Sequence, residues 1–535
     1  MSCWLGVVAI AAPEAIMAEV DEGASGPGGW RYRPAPLTWL MLAIGALAFT
    51  VRLASVLRGG GLEGVFGYDD GVYYTGADSL VSGRAPYRDF VLLHPPGILL
   101  VLTPFAAVGR WLSDPVGFAL ARAFFLALGA LNAVLLTKIA GRLGIVAAAT
   151  AGLFYAAWYP SMYAERTTLL EALGTTALLV ALVLLFRVHG ASARAQMLAG
   201  VALGLGTTVK IWGIVLVLVI VLWQLGENGR RSAVRIAAGA ALAITAVCLP
   251  FFLLAPGPMI RMVVLAQIGR ANGRTSLFGR LAGMSSLNVH LAGWGGWPLA
   301  LAAGGAAVLL LLATVYAWWQ RSSRIFVVLL LATGAVLVAS PSYFEHYGEL
   351  VAPPLALTLA VAAQRFAAWG AHRQRSIRAL TMTTVLAPLA VLVITASTTT
   401  FGRPLSWPDR GRARALAGCV VGDVPTVLIE LDVLSSDLEQ SCPVWVDVTG
   451  LTYLQDTRRG PDGLQVNRLE NPLWQKDLVR YLTSGSTTVL LHPPTEELSP
   501  ENVRTLNALP LVARRHAYRI YGRGARTASR VLLGP

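Results

Sequence analysis

Two adjacent carboxylates stand in Tyr68-Asp69-Asp70-Gly71-Val72-Tyr73-Tyr74, followed by Pro86-Tyr87-Arg88-Asp89-Phe90 and His94-Pro95-Pro96-Gly97. Like charges side by side raise each other's proton affinity, and near a bilayer such a pair more often marks a substrate or proton path than packing. A carboxylate there could take a proton from a hydroxyl, and nearby Arg or His could meet an anion. A solvated acidic turn is the plain alternative. Against it stands the density of functional groups in this one segment, where Asp78 joins Asp69, Asp70, Arg88, Asp89 and His94. The tyrosines also suit an interfacial belt.

Further candidates lie downstream. Tyr163-Ala164-Glu165-Arg166-Thr167-Thr168-Leu169-Leu170-Glu171 carries two acids six residues apart, a spacing that does not put them on one helical face. Glu165 is expected in a loop beside Arg166. Glu171 is expected about a turn and a half inside the membrane, where a lone carboxylate needs a partner or a wet cavity. Lys210 separates two short apolar runs and either aims an ammonium at a site or forms a structural pair with Glu171. Ser342-Tyr343-Phe344-Glu345-His346-Tyr347 gathers polar and aromatic groups again, although a buried structural histidine is the commoner case. Arg58, Arg84, Arg88, Arg166, Lys210, Arg261, Arg270, Arg274 and Arg280 fall in or near the loops expected on the outer face. As a set they favour an anionic ligand, whereas any one of them could snorkel or meet lipid headgroups.

The elements that must position these residues are membrane helices. The 535 residues are 55% hydrophobic and only 13% charged, with a mean hydropathy of +0.60, which describes a polytopic α-helical membrane protein. Spans are expected near 37–57, 115–137, 145–160, 168–187, 196–209, 211–225, 233–254, 292–318, 325–340, 348–368 and 377–397, about 11 crossings. The apolar stretch 97–112 would break the alternation and is laid at the outer face or partway in. With the N-terminus cytoplasmic, each inner loop is basic, as in Lys138 with Arg142, Arg230 with Arg231 and Arg235, and Arg373 with Arg375 and Arg378. This pattern accounts for much of the net charge of +14 and leaves no reason to invoke nucleic acid. All basic side chains except Lys138, Lys210 and Lys476, apart from histidines, are arginine, a bias that suggests a high-GC, actinobacterial genome. Residues 1–36 read as a disordered cytoplasmic tail without a signal peptide.

Three regions are expected: that tail, a transmembrane domain over 37–400 whose first outer loop is 58–114, and a less hydropathic α/β domain over 401–535 outside the membrane. The last holds β-branched runs at 426–430, 444–448, 487–491 and 518–521, and polar helical stretches at 471–483 and 499–508. Cys419 and Cys442 both fall there. In an oxidising compartment a disulfide between them is one expectation and a buried thiol at each is the other.

Taken together, Asp69-Asp70-Gly71-Val72-Tyr73-Tyr74, His94-Pro95-Pro96-Gly97, the segment from Glu165 to Glu171, Lys210 and His346-Tyr347 resemble the GT-C glycosyltransferases of the protein mannosyltransferase and aminoarabinose transferase superfamily, including its galacturonosyltransferase-like branch. The resemblance covers residues 37–400. It implies a GT-C-like fold and transfer of a sugar from a polyprenyl-phosphate donor at the outer face, usually with inversion, to an envelope glycan, lipid or protein. The first acid of the family's Asp-Glu pair matches Asp69, the expected general base; the second is Asp70, one methylene shorter. The position matching His94 is lysine in some branches and is associated with the donor phosphate. Arg88, Arg166 and Lys210 are the other expected phosphate contacts, and Tyr74, Glu165, Glu171, His346 and Tyr347 the expected substrate contacts. No nucleotide cradle is evident, and the acidic loop could hold a divalent ion. A transporter or lipid flippase and a non-catalytic envelope scaffold are the alternatives. The first would ask for inverted repeats, and the second leaves the acid-rich loop unexplained. A bacterial plasma-membrane location follows from any of these.

Overall fold

The computed structural model describes residues 34–187, 190–273, 275–286, 296–402, 405–410, 413, 418–455, 459–491 and 498–522. The expected tail lies almost wholly outside them, as does Arg274 of the expected outer basic set. Helices α1 (Pro34–Arg58), α2 (Asp69–Val81), α3 (Gly97–Trp111), α4 (Asp114–Gly141), α5 (Ile145–Ala157), α6 (Tyr159–Glu165), α7 (Leu170–Leu185), α8 (Ala193–Val209) and α9 (Gly213–Leu254) follow in order. Shorter pieces lead on to α10 (Gly296–Trp319), α11 (Arg324–Ala339), α12 (Ala352–Ala371) and α13 (Arg375–Thr398).

Among the described residues seven helices are long and apolar enough to cross a membrane, or eight if α6 and α7, bent by 112°, form one broken span. The expectation of 11 differs for physical reasons. Two expected spans, 211–225 and 233–254, are the two arms of α9, which breaks at Gly229 with a left-handed φ of 78° that glycine tolerates and folds back so that Ser232 Oγ donates to Gln224 Oε1 at 2.7 Å. At ~1.5 Å per residue, α5 and α8 reach only roughly 20 and 26 Å, short of a ~30 Å hydrocarbon layer. Helix α8 packs between α7 and α9, and α5 packs against α4 and α12. Helix α3, 15 residues long, is also too short to cross.

The acid pair does not sit in an open loop. It begins α2, with Asp69 and Asp70 in the first turn, where carboxylates suit the positive end of the helix dipole. Gly71 permits a close approach: a Cβ there would meet the backbone nitrogen of Thr426 at 2.8 Å.

Beyond α13 the chain forms a four-stranded sheet of β1 (Val420–Gly422), β2 (Thr487–Leu491), β3 (Leu511–Arg514) and β4 (Tyr518–Gly522), in the order β1-β2-β4-β3. Strands β1 and β2 are parallel, and β4 runs antiparallel to β2 and β3, with Thr488 opposite Tyr521. The parallel pair requires a long crossover, which contains helices Pro425–Glu430, Leu434–Glu439 and Pro472–Leu482. Two expected strands are thereby corrected. Residues 426–430 form a short helix started by Pro425, buried on every side, so that it lacks the one-faced pattern that marks a surface helix. Residues 444–448 bend and turn while burying Val444, Val446 and Val448 in alternation, and among the described residues they pair with no strand. Cys419 and Cys442 form a disulfide across this region.

One hydrophobic core runs from α2, α3 and α4 into the sheet region, joining Tyr74, Leu99 and Phe118 to Val427, Val446 and Ile520. Polar groups stitch the same boundary. Asp114 accepts from the Ser435 amide at 3.0 Å and from its hydroxyl, and its own amide donates to Asp432 at 2.8 Å.

Candidate active site

Asp69 and Asp70 are neighbours in sequence but point into different surroundings, since successive helical residues are turned by about 100°. Asp70 is fully buried. Its Oδ2 accepts from Arg122 Nη2 at 2.7 Å and from Thr167 Oγ1 at 2.8 Å, and its Oδ1 accepts from the Gly71 amide. Arg122 lies over the Phe118 ring at 3.9 Å and donates to Gly64 O at 2.9 Å. Asp70 is thus a structural anchor of the first turn of α2.

The Asp69 side chain is 43% exposed, within a recess. Its Oδ2 lies 4.0 Å from His346 Nε2, which is also 3.8 Å from Glu171 Oε1. Glu171 Oε1 accepts from Lys210 Nζ at 2.5 Å, the pairing that the sequence left open. The ammonium lies 3.7 Å from the Tyr347 ring and 4.2 Å from the Trp212 ring. Surrounding protein pushes Asp69 up to about 7: desolvation is the largest cause, then the carboxylates of Asp447, Glu171 and Asp70, partly offset by Lys210. An acid so placed changes charge near neutral pH, as a general base requires.

His94 reaches the same neighbourhood. Its ring meets Tyr73 edge-on at 5.9 Å, and its Nδ1 is buried without a protein partner. Desolvation, then the positive charges of Lys210 and Arg270, hold the imidazole well below its ordinary value, so it is neutral and offers a hydrogen bond rather than a charge. Arg270, among the outer arginines singled out by sequence, stacks 3.7 Å over the Tyr453 ring from the sheet region.

Other candidates lie elsewhere. Arg88 is half exposed and pairs with its neighbour Asp89 at 2.7 Å. Arg166 spends its guanidinium on the carbonyls of Tyr163 and Phe66 and on the Tyr163 ring, 3.4 Å away. Glu165, expected in a loop, is fully buried: it accepts from Arg52 at 2.5 Å, Asn132 at 2.7 Å and the Tyr155 hydroxyl at 2.7 Å. Tyr74 is buried with its hydroxyl 3.4 Å from the carbonyls of Phe105 and Asp114. Arg52, Arg122 and Asn132 escaped the sequence reading, although a polar or ionisable group inside an apolar span is itself a signal. Asp447 and Tyr453 carried none, since their role depends on a fold that brings distant segments together.

Beside Glu171 and Lys210 a narrow cleft of about 30 Å³ lies between α7, α8 and the start of α9, lined by Leu170, Gly174, Gly206, Gly213, Leu216 and Leu350 among others. Its lining is mostly apolar, with the Lys210–Glu171 pair at one end. Among the described residues no group of three or more His, Cys, Asp or Glu gathers to hold a metal ion.

Residues 92–341 match the family model of Glycosyltransferase family 87. No curated protein matches the chain in sequence. In fold the chain is similar to ArnT from Cupriavidus metallidurans in the apo state, with a TM-score of 0.56 at 17% identity over 94% of this chain and 100% of that one. It is similar to the same protein bound to undecaprenyl phosphate, with a TM-score of 0.55 at 17% identity over 91% and 98% of the two chains. The oligosaccharyltransferase of Archaeoglobus fulgidus gives 0.55 at 10% identity over 86% of this chain and 69% of that one. At such identities the likeness is one of fold, and the fold is the one that the motifs implied.

Proposed function

We propose that this chain, a membrane glycosyltransferase with the GT-C architecture, moves a sugar from a polyprenyl-phosphate-linked donor to a cell-envelope glycan, lipid or protein acceptor, with Asp69 as general base. The observation that carries this reading is the meeting of Asp69, an accessible carboxylate, with His346 at 4.0 Å and the Lys210–Glu171 pair beside a narrow apolar cleft. The phosphate lies at Lys210, His94 and Arg270. Support for this donor class comes from ArnT, whose fold is similar and which has been seen with undecaprenyl phosphate.

In the proposed step the acceptor hydroxyl gives its proton to the Asp69 carboxylate while its oxygen bonds the anomeric carbon. The bond from that carbon to the phosphate oxygen breaks, and the electron pair leaves on the phosphate. Attack opposite the leaving group inverts the centre. Lys210 and Arg270 meet the developing charge, and neutral His94 donates a hydrogen bond. Glu171, His346 and Tyr347 hold Lys210 and the sugar. Asp70, Tyr74 and Glu165 act by fixing the helices, and Arg88 and Arg166 are assigned no part in phosphate binding. The basic loops favour a cytoplasmic N-terminus, which puts the site and the sheet region on the outer face of a bacterial plasma membrane.

The test is transfer of labelled sugar from a panel of polyprenyl-phosphate sugars in membranes holding wild type or Asp69→Asn at matched abundance. Loss of a positioned base is expected to lower transfer by ~10²-fold or more. Equal transfer by both would remove Asp69 from the chemistry.

A further inference from the structure

We infer that residues 447–453 of the sheet region complete the reaction site, with Asp447, acting through Tyr68, as a positioning residue for Asp69. The inference rests on the reading of Asp69 as the base. In segment 444–448 the buried valines alternate with the partly exposed Trp445 and Asp447, so Asp447 is turned away from the core that Val446 and Val448 enter. Its Oδ1 accepts from the Tyr68 hydroxyl at 3.2 Å and from the Gly450 amide at 2.7 Å. The Thr449 amide donates to the same Tyr68 oxygen at 2.8 Å. Tyr68 is the residue immediately before Asp69 and caps the start of α2 without a side-chain cap bond. A turn from the far end of the sequence therefore grips the residue on which the orientation of the proposed base depends.

The turn is itself held firmly. Trp474 Nε1 donates to Val448 O at 3.2 Å, Thr452 Oγ1 donates to Thr449 O at 2.7 Å, and Arg270 covers the Tyr453 ring. Besides Asp447, the groups facing Asp69 are Asp70 and Tyr73 on its own helix, Glu171 on α7, Lys210 after α8 and His346 before α12. Asp447 is the largest of the charge contributions that hold the Asp69 proton affinity up. A second effect of the turn follows: the Asp447 charge raises the pH at which Asp69 becomes a base, beside the larger effect of desolvation.

Two variants separate these effects. Tyr68→Phe removes the hydroxyl that the turn grips and leaves every charge in place. Asp447→Asn keeps a side-chain oxygen for Tyr68 and removes the charge. Transfer is followed against pH with wild type, both variants and Asp69→Asn in native membranes at matched abundance. Tyr68→Phe is expected to lower kcat about 10-fold, roughly the loss of one hydrogen bond's worth of orientation, with KM for the donor little changed. Asp447→Asn is expected to move the acid limb of the profile to lower pH, because removing a like charge eases ionisation of Asp69. A purely structural role would lower activity without moving the limb. If Asp69→Asn abolishes transfer while the Asp447→Asn limb stays where wild type has it and Tyr68→Phe keeps the wild-type kcat, the inference falls and the general-base reading stands. If Asp69→Asn transfers like wild type, both fall.

Discussion

Asp69 and Asp70 divide the work of one dipeptide. Asp70 is locked to Arg122 and Thr167 with both ion-pair partners fully buried, whereas Asp69 is accessible and meets His346. Removing one member of a buried ion pair leaves the other charge stranded, at a cost of about 3–5 kcal/mol. Asp70→Asn is therefore expected to lower the thermal stability of the detergent-purified protein sharply, while Asp69→Asn leaves it near wild type; unfolding curves of the two compare them directly. An Asp70→Asn protein as stable as wild type and devoid of transfer would instead make Asp70 a chemical partner. The sequence marked the pair as the place of chemistry but could not distinguish its members, because the distinction comes from Arg122 and Thr167, far along the chain. The same holds for Glu165, whose partners Arg52, Asn132 and Tyr155 come from three other helices.

Among the elements, α2 decides the geometry of the site. It can approach the helix Pro425–Glu430 because residue 71 has no side chain, and a Cβ there would lie 2.8 Å from the Thr426 nitrogen. Gly71→Ala is expected to push the first turn of α2 away and to lower stability by about 1–3 kcal/mol, with transfer falling in parallel. Gly226→Ala in α9, where a Cβ would meet nothing within 4 Å, is the control and should be neutral or stabilising by up to about 1 kcal/mol. Thermal unfolding and transfer measured on both proteins check this; equal behaviour would mean that the contact does not constrain α2. Long apolar helices such as α1, α4, α10 and α13 were legible from their uninterrupted hydropathy. Residues 426–430 and 444–448 were not, since complete burial erases the helical period in the first and alternation in the second serves packing without a partner strand.

The whole molecule is a bundle of membrane helices whose first loop region shares its core with the sheet region. Hydropathy alone drew a boundary near residue 400, and it could not reveal that Asp114, Asp432 and Ser435 bond across that boundary. Nor could it show that the expected spans at α5 and α8 fall short of a hydrocarbon layer. The class of protein was nevertheless readable, because composition reports the solvent, and clustered ionisable groups, costly near a membrane, marked the segment proposed to carry the chemistry. The site depends on the assembled molecule: α2 supplies Asp69, α7 supplies Glu171, the end of α8 supplies Lys210, the turn before α12 supplies His346, and the sheet region supplies Asp447.

The central claim is that this assembly makes Asp69 a base poised near neutral pH. Its most direct test is the pH dependence of sugar transfer by wild type, with Asp69→Asn as the baseline. Because the folded environment raises Asp69 and the ionised form is the active one, transfer should be weak in acid and rise through a midpoint at about 7. The variant should be low and without that rise. A wild-type rate that stays flat across this range, or an Asp69→Asn protein that follows the wild-type curve, would contradict the claim.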